Sequence, residues 1–305
     1  MSDGRQPASP DARREVGRAA PRTPEAAAEV LVEALPYLRR FAGKVMVVKY
    51  GGNALHDAAG DPLDVFASDI VLMHSVGLKP VVVHGGGPQI SALLLRLGMV
   101  PEFHEGLRVT DRETLEVARM VLVGKVNKDV VSAINTKAPV AVGISGEDGA
   151  FLRVTARDPA LGYVGDVRSV DTTLLEKLLA EQLVPVIATI GTDDDGNAYN
   201  VNADTAAAAI AAALGAEKLI HLTNVEGIRS VPTDASTRLS HLTADDLDRM
   251  LTSGALPGGM GPKAASCLHA VRNGVPAAHV LDGRVPHVLL LELFTEAGIG
   301  TMVTS

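Results

Sequence analysis

Tryptophan is absent, and aromatic residues make up only 3% of the 305 positions. That argues against nucleic-acid binding by base stacking. Positive charge is in the minority, with 28 Lys and Arg against 36 Asp and Glu and a net charge of −8. That balance argues against a broad basic surface for a duplex. There is one cysteine, Cys267, so no internal disulfide framework exists and a reducing compartment is expected. Its setting in a predicted helix, "KAASCLHAV", reads as a packed small apolar residue rather than a reactive thiol. No apolar run reaches the roughly 18–20 residues of a membrane span. The opening "MSDGRQPASPDARREVGRAAPRTP" has five Arg and three acidic residues and lacks the apolar middle of a signal peptide. Residues 1–24 read as a flexible tail. An organelle transit peptide fits less well because of the acidic residues, so the cytoplasm is the expected location.

What is present is a globular composition, 47% hydrophobic and 21% charged, long enough for one large domain or two moderate ones. "TPEAAAEVLVEALPYLRRF" (23–41) predicts a helix capped by Thr23, with Pro24 in its first turn and Pro36 as an expected kink. Its broad apolar face predicts a partner, either its own core or another subunit. Short apolar runs follow at 45–50, 80–85, 139–145, 184–190, 218–224 and 277–283. They lack period-2 alternation, as strands covered on both faces do. Helical patterns fall between them at about 62–77, 88–98, 111–122, 124–135, 171–182, 203–214, 243–252 and 262–273. The alternation predicts an α/β fold, a three-layer αβα sandwich around a central, mainly parallel open sheet. Residues 151–170 alternate more and predict a β-hairpin, an antiparallel flap at the edge. A loose boundary is expected near Gly215.

Ligands of open parallel sheets gather beyond the carboxyl ends of the strands. There the strand "VMVVKY" ends in Lys49 aimed at Gly51-Gly52. A surface lysine and a cation placed to meet phosphate are both open readings. "HGGGPQISALLLRLGM" delivers three glycines into a helix start, a setting suited to an anion. It is neither a Rossmann nor a Walker A fingerprint, since Ile90 stands where the third glycine would be and Gly124-Lys125 is followed by Val126. "GLRVTD" places Arg108 in an extended stretch, as a surface arginine or a carboxylate clamp. In "YNVNADTAAAAIAAALG", Asn202 caps a helix with Asp204 in its first turn, and Asn200 keeps a free amide. Asp193, Asp194 and Asp195 read as a solvated turn rather than a metal site. "LPGGMGPKAASCLHAV" puts Lys263 in a first helical turn, where a cation opposes the helix dipole unless an anion binds.

Six stretches, "VVKYGGNA", "VVVHGGGPQI", "GLRVTD", "YNVNAD", "LTNVEGI" and "PGGMGPK", occur together and in order. The chain resembles, over about residues 28–303, the amino-acid kinase superfamily and within it the N-acetyl-L-glutamate kinases of the arginine-inhibited type. The resemblance implies ATP-dependent phosphorylation of the side-chain carboxylate of N-acetyl-L-glutamate in arginine biosynthesis. It implies Lys49 and Lys263 on the transferring phosphoryl group, with Asp204 orienting them. It implies Gly86, Gly87, Arg108 and Asn200 on acetylglutamate, and Gly51, Gly52 and Gly259 on phosphate. Mg²⁺ is expected on the ATP rather than in a protein cage. Tyr37, Lys218, His279, Glu292 and Gly298 are implied as an allosteric arginine site. The expected assembly is a homodimer joined into a homohexamer by the helix at 25–42. The expected lobes are 43–214 for acetylglutamate and 215–305 for ATP and arginine. Neither a nucleic acid nor a membrane is an expected partner. Another amino-acid kinase, or a non-catalytic sensor of acetylglutamate or arginine, are the rival readings.

Overall fold

A computed structural model describes residues 23–51, 61–231, 233–256, 258–295 and 298–305. The tail expected at 1–24 lies outside them except for its last two residues, and Gly52 lies outside as well. Among the described residues, those up to Pro36 belong to one unit and those from Tyr37 to Ser305 to the other.

Helix α1 (Pro24–Phe41) starts as its sequence predicts, with the Thr23 hydroxyl accepting from the Ala26 N–H at 3.3 Å. Val30, Leu31, Val32 and Leu35 on it are exposed. Tyr37 is partly buried in the second unit, in the same core cluster as the buried Phe41.

The main sheet has eight strands. Their spatial order is β12 (His241–Thr243), β14 (Thr301–Thr304), β13 (Ala277–Asp282), β11 (Lys218–Thr223), β1 (Val45–Tyr50), β2 (Lys79–His84), β8 (Val184–Ala188) and β5 (Ala141–Ser145). All neighbours are parallel except β13 and β14. Val47, Val81 and Val83 face one core cluster, and Met46, Val48, Tyr50 and Val82 face the other. Both faces are therefore covered, which is why the apolar runs show no alternation. The sheet continues through position 215, because β11 lies between β1 and β13.

Two expectations are corrected. Residues 151–170 do hold an antiparallel pair, β6 (Leu152–Ala156) and β7 (Val164–Val170), but not as an edge flap. With β9 (Ile190–Thr192) and β10 (Ala198–Val201) they close a four-stranded barrel. The closing strands are three and four residues long, too short to carry a period. The helices expected at 111–122 and 124–135 are one continuous run, α4 (Arg112–Arg119) and α5 (Asn127–Lys137), joined by a π-wound turn, Met120–Val126. Gly124 does not break it; helical torsions persist through the junction. Wider turns of this kind are frequent at functional sites.

Other helices that place the site are α2 (Pro62–Ser75), α3 (Gly87–Arg96), α6 (Thr173–Ala180), α7 (Ala203–Ala213), α8 (Ala244–Thr252), α9 (Met260–Arg272) and α10 (Val288–Phe294). Alanine lets α7 lie close on its surroundings: Ala206, Ala207, Ala208 and Ala211 are buried in the cluster that holds Val47 and Cys267. A two-stranded ribbon, β3 (Phe103–His104) and β4 (Leu107–Arg108), completes the set. Among the described residues no helix is long and apolar enough to cross a membrane.

Candidate active site

Successive side chains of a strand point to opposite faces. Lys49 therefore shares the face of Val47, whose core cluster includes the alanines of α7. It is only 7% exposed, so the surface-lysine reading fails. Asn202 caps α7, its Oδ1 accepting from the Asp204 N–H at 2.9 Å and the Thr205 N–H at 3.2 Å. That cap sets Asp204 in the first turn, buried, at the same sheet end. Lys49 Nζ lies 2.7 Å from Asp204 Oδ1, and Lys263 Nζ, from the first turn of α9, donates to Oδ2 at 2.9 Å. One carboxylate thus holds two ammonium groups from two different elements.

The charges are strongly coupled. Burial opposes ionisation of Asp204, but Lys49, His221 and Lys263 outweigh it and hold the carboxyl well below the usual range. Burial draws the Lys49 ammonium below an ordinary lysine, Asp204 pushes it back up, and Lys263 lowers it again. The cluster carries excess positive charge, two ammoniums against one carboxylate, at the wall of a cavity of about 310 Å³.

The same cavity is lined by Gly51, Gly85, Gly86, Gly87, Arg108 and Asn200. A Cβ on Gly51 would stand 2.8 Å from the Leu222 carbonyl oxygen and 3.3 Å from Lys49 Nζ. On Gly86 it would stand 2.8 Å from Leu122 Cδ2, a side chain of the π-wound turn. At Gly87 and Gly259 a Cβ would meet open space, so packing does not demand glycine at either.

Arg108 is buried. Its Nη2 donates to the Gly87 carbonyl at 2.9 Å and to Ser91 Oγ at 2.8 Å, and its guanidinium lies over the Phe103 ring at 4.7 Å. Nη1 is buried and has no hydrogen-bond partner among the described residues. A buried donor left open is costly, so it points to an acceptor supplied by a ligand. Burial lowers the guanidinium's pKa from its ordinary value. Asn200 Nδ2 donates to Thr110 Oγ1 at 3.3 Å, and Thr110 Oγ1 donates to the Arg108 carbonyl at 2.8 Å.

Several polar residues behind this wall escaped the sequence reading. His84 is buried, and burial lowers its pKa to about 4. Its Nδ1 lies 3.1 Å from the Gly85 carbonyl, and its Nε2 lies 3.1 Å from Asn127 Nδ2, which also donates to the Val186 carbonyl at 2.8 Å. A neutral imidazole with the proton on Nδ1 satisfies both contacts. His221 and Ser266 stand behind Asp204. The available signal was a histidine inside an apolar strand, at "KLIHLTN". The Asp193–Asp195 stretch is the turn expected: Asp193 Oδ1 accepts from the N–H groups of Asp195 and Asn197, and Asp194 pairs with Arg168.

The other predicted cluster also assembles. Lys218 Nζ lies 2.8 Å from His279 Nε2, and His279 Nδ1 lies 2.9 Å from Glu292 Oε1. Glu292 Oε2 accepts from the Ile299 N–H at 3.2 Å, and a Cβ on Gly298 would stand 3.7 Å from it. Lys218 Nζ is also 5.6 Å from the Phe41 ring, one helical turn beyond Tyr37. Burial raises the Glu292 carboxyl, but His279 and Lys218 bring it below its usual value.

Residues 44–282 match the amino acid kinase family. The chain belongs to that family. Acetylglutamate kinase of Streptomyces avermitilis is 52% identical over 284 residues, covering 90% of this chain and 92% of its own. That of Acidothermus cellulolyticus is 52% identical over 293 residues, covering 92% and 97%. The chain therefore groups with the acetylglutamate kinases of the family and is an enzyme, a phosphotransferase. Among solved structures, N-acetylglutamate synthase from Neisseria gonorrhoeae superposes with a TM-score of 0.80 at 29% identity over 91% of this chain. This chain spans only 63% of the synthase. Carbamate kinase from Giardia lamblia, at 16% identity and a TM-score of 0.64 over 87% of this chain, shares the family's fold alone.

Proposed function

We propose that this enzyme transfers the γ-phosphoryl group of ATP to the side-chain carboxylate of N-acetyl-L-glutamate, in arginine biosynthesis. The observation that carries the reading is one cavity holding both the Lys49–Asp204–Lys263 cluster and the open Nη1 of Arg108. Curated relatives with about half their residues identical are named for the same substrate.

The nucleophile needs no general base, because a glutamate carboxylate is already ionised at neutral pH. One of its oxygens attacks the γ-phosphorus, the bond to the β,γ-bridging oxygen breaks, and ADP leaves. The obstacle is bringing one anion up to another. Lys49 and Lys263 supply positive charge, and Asp204 favours the charged form of Lys49 and aims both before the nucleotide arrives. Arg108 Nη1, the Asn200 amide and the backbone at Gly86 and Gly87 hold acetylglutamate, while Gly51 leaves room for phosphate, and Gly52 and Gly259 are assigned to phosphate from the sequence motifs alone. Asp204 is the only carboxylate lining the cavity among the described residues and is already occupied by two lysines. Mg²⁺ is accordingly assigned to the nucleotide, where it would offset phosphate charge when bound. In this reading residues 43–214 carry acetylglutamate and residues 215–305 carry ATP.

The decisive assay is ADP release with acetylglutamate, unacetylated glutamate, aspartate and carbamate. Acetylglutamate should be turned over best; equal turnover of an unacetylated acid would refute the substrate assignment. Gly51→Ala should lower kcat on the order of 10- to 100-fold by displacing Lys49 and the Leu222 backbone. A wild-type kcat in that variant would show that the close packing there is irrelevant to turnover.

Arginine inhibition and a hexameric assembly are part of the same proposal. Lys218, His279, Glu292, Gly298 and Tyr37 are its candidate arginine residues, with Glu292 the acidic partner for a guanidinium. The exposed Val30, Leu31, Val32 and Leu35 on α1 support a helix that packs against a second dimer. A chain lacking residues 1–36 should show about a third of the full-length particle mass by light scattering, as a hexamer falling to dimers does. It should also require more arginine for half-inhibition. Unchanged mass would rule out that role for the helix.

A further inference from the structure

The proposed mechanism assigns no role to His84 and Asn127, although both are fully buried behind the cavity wall. His84 ends β2 on the strand face of Val82. Asn127 opens α5, which packs on that face through Val130 and Ile134. Lys49 stands opposite Val83 in the register of β1 and β2, so it lies on the other face, with the alanines of α7. Gly85, Gly86 and Gly87 lead the chain out of β2 between these two sides and into α3.

The proton count here is forced. A carbonyl only accepts, so the 3.1 Å contact with the Gly85 oxygen puts the imidazole proton on Nδ1. Burial and the Lys128 charge outweigh that hydrogen bond and keep the ring from taking a second proton. Nε2 is therefore a bare acceptor. Asn127 Nδ2 gives it one hydrogen at 3.1 Å and gives the other to the Val186 carbonyl at 2.8 Å. The amide is not reversed, because its Oδ1 would then face that carbonyl; as it stands, Oδ1 accepts from Lys128 Nζ at 3.2 Å. The consequence falls on the far side of the same peptide. No peptide among the described residues is cis, so the Gly86 N–H points opposite to the Gly85 carbonyl. With the carbonyl turned to His84, the N–H is turned to the cavity that Gly86 lines, and it has no hydrogen-bond partner among the described residues. Glycine at both ends lets such a peptide flip at little cost. A side chain cannot stiffen it at position 86, where a Cβ would stand 2.8 Å from Leu122 Cδ2 and 3.2 Å from Val126 Cγ2. The loop needs an anchor from outside itself.

We propose that His84, held in its Nδ1–H tautomer by Asn127, is a positioning residue that locks the Gly85–Gly86 peptide with its N–H facing acetylglutamate. A flipped peptide would present a carbonyl oxygen to an anion that the N–H would have bound. The same short segment of chain, Leu122 to Asn127, seats Gly86 by packing and the Gly85 carbonyl through His84. The inference rests on the reading that the Gly86 backbone holds acetylglutamate.

The test compares three variants. His84→Leu removes the donor, His84→Asn puts an amide nitrogen near the place of Nδ1, and His84→Gln reaches the place of Nε2 instead. One N–H to a charged acceptor is a factor of about 10 to 100 in affinity. His84→Leu should raise the KM for acetylglutamate by that factor, while the KM for ATP stays within about threefold. His84→Asn should return the acetylglutamate KM to within about threefold of wild type, and His84→Gln should not. A purely structural histidine would instead give losses that follow the melting temperature, shared by both substrates and by Asn and Gln alike. A second measurement needs no variant to fold: long-range ¹H–¹⁵N correlation of histidine-labelled protein should show the Nδ1–H tautomer at His84. An unchanged acetylglutamate KM in His84→Leu, an Asn variant no better than the Gln variant, or an Nε2–H tautomer would each overturn the inference. Arg108→Ala measured in parallel separates the levels. If it too keeps the acetylglutamate KM, the reading of this cavity as the acetylglutamate site has failed; if only His84→Leu does, the fault lies with the positioning role alone.

Discussion

Lys49→Ala is expected to lower kcat with acetylglutamate on the order of 10²- to 10³-fold, the usual effect of deleting one preorganised donor at a charge-developing centre. The KM values should move little. Lys49 is 7% exposed and held at 2.7 Å by Asp204, so its charge is positioned before substrate arrives. Buried in a low-dielectric wall, it acts on the transferring group without solvent screening. Lys263 is more open, with its side chain 19% exposed, and belongs to a helix behind a glycine lead-in. Removing it should cost less at saturating ATP and more at low ATP. Steady-state kinetics with each substrate varied in turn check this. A kcat near wild type in Lys49→Ala would remove the lysine from the chemistry, whatever its geometry.

Asp204→Asn should destabilise the protein by about 3–5 kcal/mol, the range for breaking a buried ion pair from one side. The amide keeps the volume but leaves Lys49 buried without a counter-charge. Its pH dependence separates the charge from the shape. Folding depresses the Asp204 pKa, so the folded chain binds fewer protons than the unfolded chain. The stabilisation is complete above the ordinary carboxylate pKa and is lost as pH falls through the depressed value. The stability difference between wild type and Asp204→Asn should therefore hold steady near neutrality and shrink only below about pH 4. Urea unfolding midpoints at fixed protein concentration across that range give the answer. A difference unaffected by acid would assign the loss to packing or capping rather than to the carboxylate charge.

Much of this site was legible locally. A lysine at the end of an apolar strand, glycines before helix starts and an asparagine cap are statements about adjacent residues. Lys49, Gly86, Asn202 and Asp204 could all be picked out in that way. Lys263 was legible as an electrostatic conflict with its own helix, and Asp204 at 2.9 Å resolves that conflict even without phosphate. Ser266 and Asn127 were not legible, and His221 carried only the signal of a histidine inside an apolar strand. The meaning of each depends on a partner from another element. The barrel was missed for the same kind of reason. Its parallel pairs, β7 with β10 and β6 with β9, join segments with no local signal of pairing.

The amino-acid sequence alone determined the helices between the core strands, the covered parallel sheet and the identity of the groups gathered at its carboxyl end. These follow from periodicity, capping and turn chemistry, which act over a few residues. Only the tertiary structure decided that Lys49, Asp204 and Lys263 meet at one point and that His221 stands beside Lys49. That convergence depends on the order and register of β1 and β11 and on α7 and α9 packing over them. Register and layer packing are set by the burial of the whole core, a property of the folded chain rather than of any one stretch of it.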